Sequence, residues 1–208
     1  RRQRQMCIRD SANTAFAQAV HFAPNDAEAK FYYAKVMHEL NNDPQAIRLL
    51  YEATKIDSDY LEAYCDLGCL LADSGNLTDS KRAYERAVLA DPSCANALNG
   101  LGTIQVSLGN IKLAEQLFRK SLSAENNLVI AHYNLAEIKR FKSFDGDAAA
   151  VYSQSKRDNI SQNEAVQIGF ALGKIREDIG EFDKQILHAN DKTRRRATKL
   201  ASISYGLD

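Results

Sequence analysis

Tryptophan is absent from this 208-residue chain, and proline occurs only three times, at positions 24, 44 and 92. Each proline sits near a proposed turn or helix start, so helices can run uninterrupted between them. No segment reads as a strand, and no apolar run reaches the roughly 18 residues needed to span a bilayer. Nothing resembles a secretory signal. A membrane partner is therefore not expected, and a cytoplasmic location is. Neither sign of charge is in excess, because 27 Lys and Arg balance 27 Asp and Glu. The balance is uneven along the chain: Arg1, Arg2, Arg4 and Arg9 against Asp10 give +3, which leaves −3 for residues 11–208. Cysteine is sparse, at 7, 65, 69 and 94. Cys65 and Cys69 fall on one face of a helix, but a structural zinc site takes four ligands and no CxxC or second pair supplies the others. The cysteines read as small buried or groove-lining side chains in a reducing compartment, and no metal is expected.

What the chain has in quantity is apolar residues, 45% of the total, arranged with a period. Stepping by 34 from Tyr33 returns Leu67, Leu101 and Leu135, and stepping from Ala34 returns Gly68, Gly102 and Ala136. Three further columns run in phase: Ala12, Ala46, Ser80, Ala114, Ala148; Phe16, Leu50, Tyr84, Phe118, Tyr152; and Ala19, Ala53, Ala87, Ser121, Ser155. The stretch from Tyr60 to Leu101 is the most complete copy, with Leu67-Gly68, Gly75-Asn76, Tyr84, Ala87 and Asp91-Pro92. Small residues at 68 and 102 let one helix of a pair approach the other, while Leu67 and Tyr84 fill the space between.

This 34-residue pattern, with an aromatic-x2-Leu-Gly start, an Ala-x3-aromatic middle and a late proline, resembles the tetratricopeptide repeat (TPR). The resemblance implies an all-α fold, a right-handed α-α superhelix in which helix pairs bury their apolar faces by stacking. The expected organisation is the second helix of a truncated repeat at 11–26, whole repeats at 27–60, 61–94 and 95–128, degenerate ones at 129–162 and 163–196, and a tail at 197–208. Asp43 is the expected N-cap of its helix, with Pro44 at the first helical position. Residues 1–10 resemble the in-frame translation of a sequencing-library transposon adaptor and are read as non-native, so their charge is no argument for nucleic-acid binding.

His132 to Phe141, followed by Phe170-Ala-Leu-Gly-Lys-Ile-Arg-Glu-Asp-Ile-Gly180-Glu-Phe-Asp-Lys184, resembles the final repeats of bacterial TPR-sulfotransferases. In that family a catalytic domain follows, entered through an Asn and basic residues that Asn190 and Arg194 to Arg196 echo, whereas Gln185 departs from the usual Ala. Such an enzyme needs a loop similar to P-x-S-G-T to cradle phosphate. The nearest string, Ala72-Asp-Ser-Gly75, reads as a helix-ending turn. No catalytic residue and no cofactor site is expected in this chain. The basic cluster Lys192, Arg194, Arg195, Arg196 and Lys199 lacks interleaved aromatics and reads as a solvated helix end, not a nucleic-acid site.

Functional expectation therefore falls on the concave face, which in TPR superhelices is lined by the first helix of each pair. Motif positions two, five, nine and twelve hold Glu28, Phe31, Lys35 and His38; Glu62, Cys65, Cys69 and Ala72; Asn96, Asn99, Thr103 and Val106; and Ile130, Tyr133, Glu137 and Arg140. Polar and aromatic groups in that mixture suit an extended peptide or a partner surface. The Lys-x3-Asn opening of chaperone-binding carboxylate clamps is absent. The asparagine ladder of sugar-transferring TPR proteins is represented only by Asn134, with Tyr32, Asp66 and Gly100 at the equivalent positions. Two readings result: a protein-interaction scaffold, or the N-terminal module of a sulfotransferase whose catalytic domain lies beyond residue 208.

Overall fold

The computed structural model describes the backbone of residues 2–180 and the side chains of residues 12–180. The second half of the degenerate repeat expected at 163–196, the basic cluster at 192–199 and the tail lie outside the described residues. Ten helices and no strand occur among those described: α1 Arg2–Phe22, α2 Ala27–Glu39, α3 Asp43–Ile56, α4 Leu61–Asp73, α5 Leu77–Ala90, α6 Ala95–Ser107, α7 Ile111–Ala124, α8 Val129–Ile138, α9 Gly146–Gln154 and α10 Gln162–Ile179. Residues 2–10 continue α1 without a break.

One device makes the hairpin turns. Asn41, Gly75 and Gly109 have φ of 57°, 82° and 78°, the left-handed conformation that ends a helix with little steric penalty for glycine or asparagine. The next residue is asparagine each time, and its backbone N–H reaches back to Met37 (2.8 Å), Leu71 (2.9 Å) or Gln105 (2.8 Å) carbonyl oxygen. The side chains of Asn42 and Asn76 then cap the following helix by accepting from Gln45 N at 3.4 Å and Asp79 N at 3.3 Å. The N-cap of α3 is thus Asn42 and not Asp43 as expected; Asp43 is the first helical residue, and its carboxylate instead meets His38 Nδ1 at 2.7 Å.

The described chain forms two compact units, divided between Ile104 and Gln105 within α6. In the first, α1 packs on α2, α2 on α3, α3 on α4 and α4 on α5. Its core is made of the repeating columns: Ala34, Ala46, Leu50, Ala53, Leu67, Gly68, Ser80 and Ala87 are all buried. Ser80 replaces alanine in its column at no cost in satisfied bonds, because its hydroxyl donates to the Gly68 carbonyl at 2.7 Å. The ring of Tyr84 lies between two glycines. A Cβ at Gly68 would stand 2.8 Å from that ring, and one at Gly100 only 2.3 Å.

In the second unit α8 packs against α7, α9 and α10. Ala114, Phe118 and Leu135 form one core cluster; Phe141, Val151, Ile168, Leu172 and Ile175 belong to another. α8 is only 10 residues long, because Lys139 leaves the helix in an extended conformation at φ −87°, ψ 140°. The connection to α9 is held by ions. Lys139 Nζ donates to Asp145 at 2.7 Å and to Asp147, and Arg119 grips Asp147 through two nitrogens at 3.1 and 3.0 Å. Lys174 Nζ reaches the Lys139 carbonyl and the Asp178 carboxylate, both at 2.6 Å, while Asp178 accepts from Phe141 N at 3.1 Å. Finally, α10 opens with a capping box between Ser161 and Glu164 and ends at Gly180 in the left-handed conformation.

Candidate partner-binding surface

The first helix of each pair presents two kinds of position. In the first unit, Glu28, Lys35 and His38 on α2, Glu62 and Cys69 on α4, and Asn96 and Thr103 on α6 are exposed. Phe31 is not: it is 6% exposed, with ring centroids 5.3 Å from Tyr32 and 5.1 Å from Tyr60. Its expected place on an open face is corrected by that packing, and Lys35 Nζ stands 5.2 Å from the centre of its ring. Asn99 is likewise buried, and its carbonyl accepts from the Thr103 hydroxyl at 3.2 Å. Ala72 is half-buried.

In the second unit Ile130 is half-buried on α8, Glu137 is exposed, and Tyr133 is packed against the Phe141 cluster. Val106 lies against the Phe118 cluster. Arg140 is exposed but belongs to the connection after Ile138, so its expected helical position is corrected by the early end of α8.

Three features of this face were not anticipated. Asp66 is half-buried one residue before Leu67, and burial pushes its carboxyl up against the opposing pull of Lys35 and His38. Tyr60 is pushed up to about 12 by burial together with the Glu28 and Glu62 carboxylates. Glu28, Glu62 and Asp66 thus share the α2–α4 surface with Lys35 and His38. Third, Cys65 does not pair with Cys69 across one helical turn; its Sγ lies 3.7 Å from that of Cys94, which precedes α6. The repeat contains the signal for this contact, since 65 and 94 are its fifth and last positions and the chain returns between them. Cys69 Sγ instead lies 4.0 Å from an Asp73 carboxylate oxygen. Among the described residues no group of three His, Cys, Asp or Glu is placed to hold a metal ion. No helix among them is long and apolar enough to cross a membrane.

Solved structures with the same architecture include MamA, at TM-score 0.59 and 20% identity, covering 85% of this chain and 92% of that one. PilF of Pseudomonas aeruginosa aligns at TM-score 0.65 and 16% identity over 84% of this chain and 79% of its own. The TPR domain of Arabidopsis OM64 aligns at TM-score 0.52 and 20% identity, over 54% of this chain and 93% of that domain. In sequence, 101 residues are 31% identical to a protein of Hordeum vulgare described as a probable UDP-N-acetylglucosamine–peptide N-acetylglucosaminyltransferase SPINDLY. That match takes in 45% of this chain and only 11% of the barley protein. The tetratricopeptide repeat profile matches residues 9–60 and 65–127, more than half of the chain. With those repeats folded as the helical hairpins described above, the chain belongs to the tetratricopeptide-repeat family.

Proposed function

We propose that this chain is a non-catalytic protein-interaction scaffold that takes an extended peptide or a partner surface along the exposed face of its first helices. The carrying observation is the division of labour on α2, α4 and α6. Leu67, Gly68, Leu101 and their column equivalents are consumed in packing, whereas Glu28, Lys35, Glu62, Asn96 and Thr103 are exposed. Side chains that the fold does not use remain available for recognition. Membership of the TPR family supports the reading. No observation of the structure favours the sulfotransferase alternative, which rests on the sequence resemblance alone.

The test is to select linear peptides against the intact chain by display and to measure their affinity by fluorescence polarisation. Lys35→Ala, Glu62→Ala and Asn96→Ala sample the proposed face, and Arg82→Ala and Lys112→Ala sample α5 and α7. At least one of the first three is expected to weaken binding about tenfold, or 1.4 kcal/mol, with the other two neutral. Losses confined to Arg82 and Lys112 would move the binding surface to the second helices.

A further inference from the structure

The close approach of two sulfurs in the first unit goes beyond peptide recognition and does not depend on it. We propose that Cys65 and Cys94 are a reversible disulfide site, oxidised by low-molecular-weight disulfides of the glutathione type. The two sulfurs lie 3.7 Å apart, so a bond of about 2.05 Å needs them to close by about 1.7 Å, within the reach of side-chain rotation.

Both backbones are held in place for it. Cys65 lies on α4 next to buried Tyr64 and two residues before buried Leu67. Cys94 is fixed at the entrance to α6: its N–H donates to the Asp91 carbonyl at 3.0 Å, and its carbonyl accepts from Leu98 N at 3.0 Å. The loop before it is tied by the Asp91 carboxylate, which accepts from the Ser93 N–H at 2.8 Å and from its hydroxyl at 2.7 Å. Neither sulfur has to be carried to the other by a change of fold.

The chemistry balances as a thiol–disulfide exchange. Burial, reinforced by the neighbouring Cys94, pushes the Cys65 thiol up, and the same products form whichever of the two thiols attacks first. The Cys94 thiolate attacks one sulfur of the small disulfide, breaking its S–S bond and releasing one thiolate, which takes up the proton lost by Cys94. Cys65, losing its proton to solvent, then attacks the Cys94 sulfur of the mixed disulfide and displaces the second small thiolate, which takes up a proton from solvent. Two protein thiols are oxidised and one small disulfide is reduced to two thiols. Adjacency offsets the weak nucleophile in the second step, because the reacting sulfurs are already side by side. The closed loop would span α4 from Cys65 onward and all of α5, fastening the first helix of the repeat at 61–94 to its last residue, at the entrance to α6.

The experiment uses the full chain carrying Cys7→Ser and Cys69→Ser, incubated with oxidised glutathione under native conditions and again in urea. The native sample is expected to lose about 2 Da, to give a linked peptide joining residues 65 and 94, and to revert with dithiothreitol. Its melting temperature is expected to rise by about 4 °C or more on oxidation, as for a disulfide closing a loop of this size in a chain of this length. A stable glutathione adduct without the internal bond would overturn the proposal, as would two free thiols or a bond that forms only in urea. The unsubstituted chain is mapped in parallel, so a folding defect in the variant does not decide the matter. There the 65–94 link should dominate, and dominance of any link through Cys69 or Cys7 would sink the idea.

Discussion

Tyr84 shows how much one position in a repeat can determine. Its ring is buried and occupies the volume that a Cβ would need at both Gly68 and Gly100. Elsewhere in the same column the residue is Phe16, Leu50, Phe118 or Tyr152, and the glycines that receive the Tyr84 ring are not shared by every repeat. Gly68 was legible from its column. Gly100 was not, because its column holds Tyr32, Asp66 and Asn134, and nothing in that variety marks a close approach. Alanine at either site gains about 1 kcal/mol of helix propensity over glycine, which competes with overpacking that costs roughly 1–3 kcal/mol. The ring has to shift further to clear a Cβ at Gly100, 2.3 Å away, than one at Gly68, 2.8 Å away. Gly100→Ala is therefore expected to destabilise the chain in urea melts clearly more than Gly68→Ala. Tyr84→Leu introduced with Gly100→Ala should recover part of the loss. Equal losses for the two single variants would mean that the ring is not what occupies the space.

At the scale of the element, the connection between α8 and α9 is where the repeat changes its means of holding together. The left-handed turn at 41, 75 and 109 would recur at 143, but Ser143 is not preceded by a continuing helix, and the ion network around Lys139 and Asp147 holds the connection instead. Hydrogen bonding, first to Arg119 and then to Lys139, holds the Asp147 carboxyl below its ordinary range, and Lys139 does the same for Asp145. Both folded-state values are depressed, so the stability they contribute is present above the unfolded carboxylate range near pH 4. It is lost as the pH falls below that range through the folded values. Asp147→Asn is expected to lower the melting temperature at pH 7, by the equivalent of about 1 kcal/mol for a partly exposed network. The gap to the parent should close towards pH 2, and a gap that is the same at both pH values would show that the charge is not what holds the connection. This network was illegible in the sequence because its members, Arg119, Lys139, Asp145 and Asp147, follow no period. The turns and core columns were legible because each position repeats its physical task every 34 residues. Phe31 and Arg140 mark the limit of that reading: motif position implied an open helical face, but Phe31 found aromatic neighbours and α8 ended before Arg140.

For the whole molecule, repeat architecture makes stability a sum of hairpins and the interfaces between neighbouring ones, so the ends contribute least. Removing residues 1–10 is expected to leave the melting temperature unchanged while reducing helical signal by the nine residues, 2–10, that extend α1. A clear fall in melting temperature would mean that this segment packs on the repeats. The same additivity separates folding from recognition. Glu28, Lys35 and Glu62 are all exposed, and substitutions at such positions are usually within about 0.5 kcal/mol of neutral. Leu67 and Leu101 are 2% and 8% exposed, respectively, and truncating each to alanine costs roughly 2–5 kcal/mol. Phe31 and Tyr133 are left out of the surface set because one is buried and the other packs on a core cluster. Urea melts of the surface triple alanine variant and the core double alanine variant should differ by several kcal/mol. Affinity for a selected peptide should show the opposite order when each variant is compared at a urea concentration and temperature where it remains folded. A triple variant that melts as early as the double would place those charges in the fold, and one that melts normally and keeps full affinity would place recognition on another face.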